Sequence, residues 1–283
     1  MLSTFFKYQS LGNDFVLFDW FEETKVQIDM ILNGKEWSSY VAKTCDRHFG
    51  VGADGVLILR KSIEDEKPEL LIFNSDGSRA EMCLNGTRCV SAHLVNFHSY
   101  PDQFNLKIGM RTVKCNVAAK ISKTSSEIIT NAGSATIEGP VTVNTTNEGV
   151  YEGFKVNVGN PHFVTLNKTS LGWLKQHGQL IESDVAFPKK TNVEFVWLES
   201  ISCEIKTYMI LVYERGCGVT LACGSGAVAV MTVLKDLGEI KVGERVVLQM
   251  LGGSILSWLD ADGSVNQKAS ASLVFEGSFC FSN

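Results

Sequence analysis

Short runs in which apolar and polar residues alternate dominate the chain, and a period of two is the signature of half-buried strands. Such runs predict strands over residues 14–19, 55–59, 70–74, 106–117, 154–158, 162–166, 193–198, 204–213, 245–248 and 273–279. A helical period is rarer. Trp37, Tyr40, Val41, Thr44 and Cys45 predict a helix that ends before Gly50. Val90, Leu94 and Phe97 predict one after Cys83, stopped by Pro101, and Val230, Val233, Leu234 and Leu237 predict one after Cys223, stopped at Gly238. Many strands and few helices predict an α+β fold.

The pattern also repeats. Asn74-Ser75-Asp76-Gly77 precedes Cys83-Leu84-Asn85-Gly86, and Glu214-Arg215-Gly216 precedes Cys223-Gly224-Ser225-Gly226. Both 223 − 83 and 214 − 74 equal 140, so each cysteine and its polar partner recur at one offset. At the same offset Val90, Leu94 and Phe97 fall on Val230, Leu234 and Leu237, so both helices are expected to bury one stripe. Asn13-Asp14-Phe15-Val16 is echoed by Asn160-Pro161-His162-Phe163, at an offset of 160 − 13 = 147. Two echoes in one order predict an internal duplication: two pseudo-symmetric lobes, each a mixed or antiparallel sheet wrapped around a central helix. The expected lobes are 1–125 and 126–269, divided near the polar stretch 122–127, with an active site in the cleft between them.

Composition narrows the class. Of 283 residues, 45% are hydrophobic and 20% charged, the balance of a packed protein. A net charge of −5 argues against nucleic-acid or anionic-membrane partners. No apolar run reaches the length of a membrane span and the start lacks a signal-peptide pattern, so a cytoplasmic protein is expected. The eight cysteines (45, 83, 89, 115, 203, 217, 223 and 280) belong to a chain too long for a small disulfide scaffold. They form no C-x-x-C pair, and the five histidines show no ligand spacing, so no metal is expected. Most cysteines read as small buried hydrophobes.

Cys83 and Cys223 differ because each sits at the mouth of a predicted helix. Unpaired N–H groups there form an anion site, and the positive end of the dipole lowers the pKa of a nearby thiol. Small residues, Gly224-Ser225-Gly226 and the Asn85-Gly86 pair, would let a carboxylate approach the backbone. Two thiols tuned in this way suit inversion of a carbon stereocentre. His162 is a candidate for tuning a thiol. Glu214 and Arg215 gain weight by lying nine residues before Cys223, as Asn74 lies nine before Cys83. Asn13, Asn74, Asn160 and Asn192 sit at strand ends, where asparagine also serves turns.

These residues closely resemble those of the diaminopimelate epimerases. The match runs through Gly12-Asn13-Asp14-Phe15-Val16, the segment from Asp46 to Gly55, Asn74-Ser75-Asp76-Gly77-Ser78, Cys83, Asn85-Gly86-Thr87-Arg88-Cys89, Gly159-Asn160-Pro161-His162, Glu214-Arg215-Gly216 and Ala222-Cys223-Gly224-Ser225-Gly226. The resemblance implies a cofactor-independent isomerase of lysine and peptidoglycan precursor synthesis, commonly a homodimer. It implies that Cys83 and Cys223 are the catalytic acid/base pair. Asn13, Asn74, Leu84, Asn85, Asn160, Asn192, Glu214, Arg215, Gly224 and Ser225 are implied to bind substrate, and His162 and Glu214 to modulate the thiols. It further implies that the C-terminal strand, 270–283, returns to the first lobe and that Phe275 lies where dimers form. Leu84 replaces a glycine common in the family, which strains the carboxylate cradle if that position needs a positive φ. Two other readings are a racemase of the same scaffold acting on another amino acid, such as proline, and a thiol redox sensor pairing Cys83 with Cys223.

Overall fold

The computed structural model describes residues 2–23, 32, 34, 36–62, 64–65, 67–145 and 149–280. The chain divides into two compact units. One comprises the described residues of Met1–Thr130 and Ala269–Asn283, the other Asn131–Lys268. The polar stretch 122–127 does not mark the division. The Ser122 hydroxyl accepts from the Thr124 and Ser125 N–H groups and folds the stretch into a strand-to-strand turn within the first unit.

In the first unit a sheet closes around a helix. Its strands are β1 (Leu2–Ser10), β2 (Asn13–Asp19), β3 (Gly55–Lys61), β4 (Pro68–Asn74), the short β5 (Arg79–Ala80), β6 (Gln103–Ile108), β7 (Arg111–Lys120) and β8 (Ser125–Asn131). Pairing runs β1–β2–β3–β4–β6–β7–β8. β17 (Val265–Cys280) then pairs with both β8 and β1, completing the ring. The pairs β2–β3 and β4–β6 are parallel, each bridged by an intervening helix. The bridges are α1 (Trp37–Cys45), outside, and α2 (Leu84–Phe97), which fills the ring. Every residue from Leu84 to Val95 is buried, so α2 is a core helix on all sides rather than on one stripe.

The second unit repeats the plan. Its strands are β9 (Thr136–Asn144), β10 (Val150–Asn157), β11 (Pro161–Thr165), β12 (Asn192–Ser202), β13 (Ile205–Glu214), the short β14 (Gly218–Val219), β15 (Val246–Met250) and β16 (Gly253–Leu259). Pairing runs β9–β10–β11–β12–β13–β15–β16–β17. Hydrogen bonds tie Val265 of β17 to Ala132 and Gly133, ahead of β9. Here too two links are parallel, the third and fifth of this run, β11–β12 and β13–β15. They enclose α3 (Leu171–Glu182) and α4 (Gly224–Asp236) in the sequence. The α+β duplication expected from the echoes is therefore the fold.

Several expectations need correction. Residues 106–117 form β6 and β7, because Gly109 at φ 59° turns the chain back. Strands β1, β8, β9 and β16 and helix α3 were not expected. The shared stripe is shorter than its pattern: Val90, Leu94, Val230 and Leu234 are fully buried, but Phe97 and Leu237 are 46% and 44% exposed.

Two of the five histidines, His93 and His98, meet at Asp19. Asp19 Oδ2 accepts from His93 Nε2 (3.0 Å) and His98 Nε2 (2.7 Å), while Tyr8 meets His93 Nδ1 at 3.2 Å. The three donor atoms lie within 4.8 Å, close enough for one cation, but both imidazoles are already hydrogen-bonded to the carboxylate. Burial opposes ionisation of Asp19, yet the His93 hydrogen bond and charge bring its pKa below the usual carboxylate value. Burial lowers the pKa of His93 more than Asp19 raises it. Both shifts act in one direction: the unfolded chain binds more protons than the folded one, so acidification destabilises the first unit. The thermal midpoint, followed by circular dichroism, should fall as pH drops from about 7 to about 4. Asp19→Asn should flatten that slope and lower the midpoint at neutral pH.

Candidate active site

Cys83 and Cys223 hold the same position in the two units, as N-cap residues of α2 and α4. Cys83 has extended backbone (φ −152°, ψ 108°), as does Cys223 (φ −124°, ψ 110°). In each case the sulfur accepts from the N–H three residues on, Gly86 or Gly226, at 3.4 Å. Each thiol therefore occupies the place of a capping oxygen, at the positive end of a helix.

Around Cys83 an amide chain has been assembled. Asn13 Oδ1 faces the thiol at 3.8 Å and accepts from Asn85 Nδ2 at 3.3 Å. Its other end donates to Asp54 Oδ2 at 2.8 Å, which fixes the orientation of the amide. Arg47 bonds both Asp14 (2.7 and 3.1 Å) and Asp54 (2.8 Å), and Lys7 lies 2.6 Å from Asp14. Burial opposes the Asp14 charge, but Arg47 and Lys7 bring its pKa to about 2. Asn13 follows a two-residue turn with both φ values positive, Leu11 at 56° and Gly12 at 79°. A glycine suits the second; Leu11 is held there against its preference, buried, two residues before Asn13. On the far side, Arg88 donates from Nη2 to Asn85 Oδ1 and from Nε to Ser10 Oγ (2.9 Å). Asn74 lies apart, exposed at the end of β4, bonded to Ser78 Oγ at 2.9 Å. Leu84 is buried and is not among the residues at positive φ, so replacing the glycine leaves the start of α2 unstrained.

Cys223 has a different setting. It is nearly buried and lies 3.4 Å from Ser225 Oγ. Glu214 accepts from Thr220 Oγ1 at 2.5 Å and lies close enough to the Cys223 thiol to interact with it. Burial raises the pKa of Glu214, and burial followed by the charges of Glu214 and Glu194 pushes the Cys223 thiol well up. His162 meets Glu194 Oε1 through Nδ1 (2.7 Å) and Asn160 Oδ1 through Nε2 (3.1 Å). Asn192 has both ends of its amide on the backbone, accepting from the Arg215 N–H at 3.0 Å and donating to the Pro161 carbonyl at 2.8 Å. In these contacts it positions the Glu214-Arg215 turn, with Glu182 accepting from the Gly216 N–H at 2.9 Å. Arg215 itself is exposed and reaches the Lys189 carbonyl.

The expected residues thus fall into two groups. Cys83, Asn13 and Asn85 are joined directly in the first unit. Cys223, Ser225, Glu214, His162 and Asn160 gather in the second, with Glu194 between them. Sequence reasoning gave no role to Asp54, Arg47 and Arg88, which it met only within motifs, and passed over Glu182 and Glu194. Glu194 carried a signal, since it is an acid inside the apolar run from Val193 to Val196. The glycines at the helix mouths also differ in meaning from expectation. A Cβ at Gly86 would meet Leu57 Cδ2 at 2.8 Å, and one at Gly226 would meet Glu194 Oε1 at 2.7 Å. These two glycines admit neighbouring side chains.

The sequence model of the family described as diaminopimelate epimerase matches residues 5–138 and 154–274. Curated relatives carrying that name include one from Methanococcus maripaludis strain C5, 36% identical over 96% of this chain and 98% of its own. Another, from Carboxydothermus hydrogenoformans, is 35% identical over 97% and 98%, and one from Prochlorococcus marinus strain NATL1A is 32% identical over 98% and 99%. Among solved structures, a hydroxyproline epimerase from Agrobacterium vitis superposes with a TM-score of 0.70 at 11% identity, covering 100% of this chain and 93% of that one. A predicted epimerase from Pseudomonas aeruginosa gives 0.70 at 12%, covering 99% and 100%. At such identities the likeness is one of fold.

Proposed function

The chain belongs to the diaminopimelate epimerase family, and from that premise we propose that it is an isomerase converting LL-2,6-diaminopimelate to the meso form with Cys83 and Cys223 as its acid/base pair. One cysteine, as thiolate, takes the α-proton; the other, as thiol, delivers a proton to the opposite face. The reverse reaction exchanges their roles. The α-proton beside an ammonium and a carboxylate is very weakly acidic, so the developing charge must be met by preorganised donors. First-turn N–H groups at Leu84 and Asn85, and at Gly224 and Ser225, are the donors that suit the substrate carboxylate. Asn13, Asn74, Asn160, Asn192, Glu214 and Arg215 complete the binding set in this reading, with His162 and Glu214 adjusting the thiols. The same reading places the reaction in lysine and peptidoglycan precursor synthesis and the protein in a homodimer.

The observation that supports it is the paired N-cap placement of the two thiols, each receiving a helix N–H at 3.4 Å. A redox pair would not need it, nor the amides gathered at Asn13. The test is proton NMR of LL-diaminopimelate in D₂O with freshly reduced protein. Deuterium at the α-position, appearing together with the meso isomer, is the expected result; no exchange and no meso isomer would overturn the reading. Among the described residues no helix is long and apolar enough to cross a membrane.

A further inference from the structure

The two cysteines share a backbone setting, but the side chains packed against their helices do not match. Register makes the comparison exact in position: in the first unit Phe15 pairs with Gly55, and in the second His162 pairs with Asn192. Phe15 and His162 are related by the offset of the second echo, 162 − 15 = 147. Two residues beyond Gly55 stands Leu57, and two beyond Asn192 stands Glu194. The glycines at the third helical positions confirm the equivalence, Gly86 against Leu57 and Gly226 against Glu194. Where the first unit carries the apolar pair Phe15 and Leu57, the second carries an imidazole and a carboxylate, 2.7 Å apart and both buried. Arg88, a buried cation close enough to interact with Cys83, has Val228 as its counterpart at the 140 offset.

Glu194 is hard to account for by packing. Its side chain is fully buried, and its second oxygen, Oε2, has no hydrogen-bond partner among the described residues. A buried carboxylate with an orphan oxygen is costly, and the equivalent leucine shows that an apolar side chain fits this position of the plan.

We propose that Glu194 is a positioning residue for Cys223: held by His162 against the first turn of α4, its carboxylate offsets the positive helix terminus, so that Cys223 keeps its proton as a thiol in the substrate-free chain. The proposal deepens the two-cysteine reading and rests on it. It makes two thiols with one backbone geometry chemically unequal. A helix N-terminus alone favours thiolate in both units. At α4 the carboxylates of Glu194 and Glu214 lie close enough to act on the sulfur, with His162 hydrogen-bonded to Glu194, whereas Leu57 and Asn74 stand at those places in the first unit. Two thiols that both ionised would leave no proton to deliver, and the carboxylate guards against that.

The test needs no substrate, so its failure is separate from failure of the epimerase reading. Reduced full-length protein is alkylated with iodoacetamide across pH, and each cysteine is followed by peptide-resolved mass spectrometry, with exposed Cys203 as internal reference. In Glu194→Gln, the pH midpoint for Cys223 should fall by about one unit, a tenfold gain in thiolate at a given pH. Glu194→Leu, which copies the first unit and spares the core a buried charge, should do the same. Glu194→Asp, which keeps the carboxylate, should stay near wild type. In turnover, Glu194→Gln should lower kcat about tenfold or more with KM within about twofold. An unchanged midpoint in both the glutamine and leucine variants overturns the proposal. So does a fall in Glu194→Asp as large as that in Glu194→Gln, which would assign the effect to packing rather than charge.

Discussion

Cys83→Ala and Cys223→Ala should each remove epimerisation of LL-diaminopimelate in both directions, a loss on the order of 10²–10⁴-fold or more in kcat. The size follows from the chemistry. In the proposed mechanism each thiol serves one face of the reacting carbon, so deleting one leaves half a proton relay. Groups that act as a unit lose function non-additively, and the double variant should fall no further than the weaker single variant. A finer result separates the two roles. Any α-deuteration that survives in D₂O should occur with retained configuration, confined to one diastereomer in Cys83→Ala and to the other in Cys223→Ala. Both substitutions remove a sulfur that accepts one helix N–H, worth about 1 kcal/mol as a cap, so the variants should remain folded. Full epimerisation by either protein overturns the two-base reading.

Much of this arrangement could be read in the sequence because duplication makes weak signals corroborate each other. Neither Cys83 nor Cys223 is informative alone, but a thiol, a glycine three residues on and a polar partner nine residues before are repeated at an offset of 140. The strands that were legible, β2, β3, β4 and β10 to β13, carry clear apolar runs. Those that were not expected have other reasons. β9 exposes alternate residues and buries few, and β1 buries Phe5, Lys7 and Tyr8 without simple alternation. α3 carries Gly172 and Gly178, which break a helical pattern. Gly178 is there because the ring of Tyr213 passes 2.3 Å from where its Cβ would lie. The polar supports of the site were hidden for a different reason. Asp54 and Arg47 act by holding Asn13, and a residue that works through another leaves no spacing of its own; Glu194 left only its place as an acid inside an apolar run. Arg88 was quoted only as part of a motif; its place inside a closed ring of strands depends on tertiary structure.

Arg88 carries the second large effect. It is fully buried in the middle of α2, and burial lowers its pKa to about 10, which still leaves it charged near neutral pH. A buried arginine is tolerated only when its donors are used. Nε reaches Ser10 Oγ and Nη2 reaches Asn85 Oδ1, while Nη1 has no partner among the described residues. Arg88→Ala leaves a large void and removes both bonds, so it should destabilise the first unit by about 3–5 kcal/mol. At about 2–4 °C per kcal/mol, that is a fall of roughly 10 °C in the thermal midpoint. Arg88→Met separates packing from positioning. Methionine fills most of the space, and replacing a buried charge by an apolar side chain of similar size is often close to neutral. Ser10 keeps its own bond to the Ser270 carbonyl at 2.7 Å, so the main loss is at Asn85. Asn85 joins Asn13, and Asn13 faces the Cys83 thiol, so a loosened Asn85 should show in catalysis. Arg88→Met should therefore melt within a few degrees of wild type, while kcat/KM falls about tenfold or more. Arg88→Lys should not restore it, because a single ammonium cannot span Ser10 and Asn85 with the fixed fork of a guanidinium. Full activity in Arg88→Met would mean that Asn85 holds its place without the arginine, and that Arg88 serves the core alone.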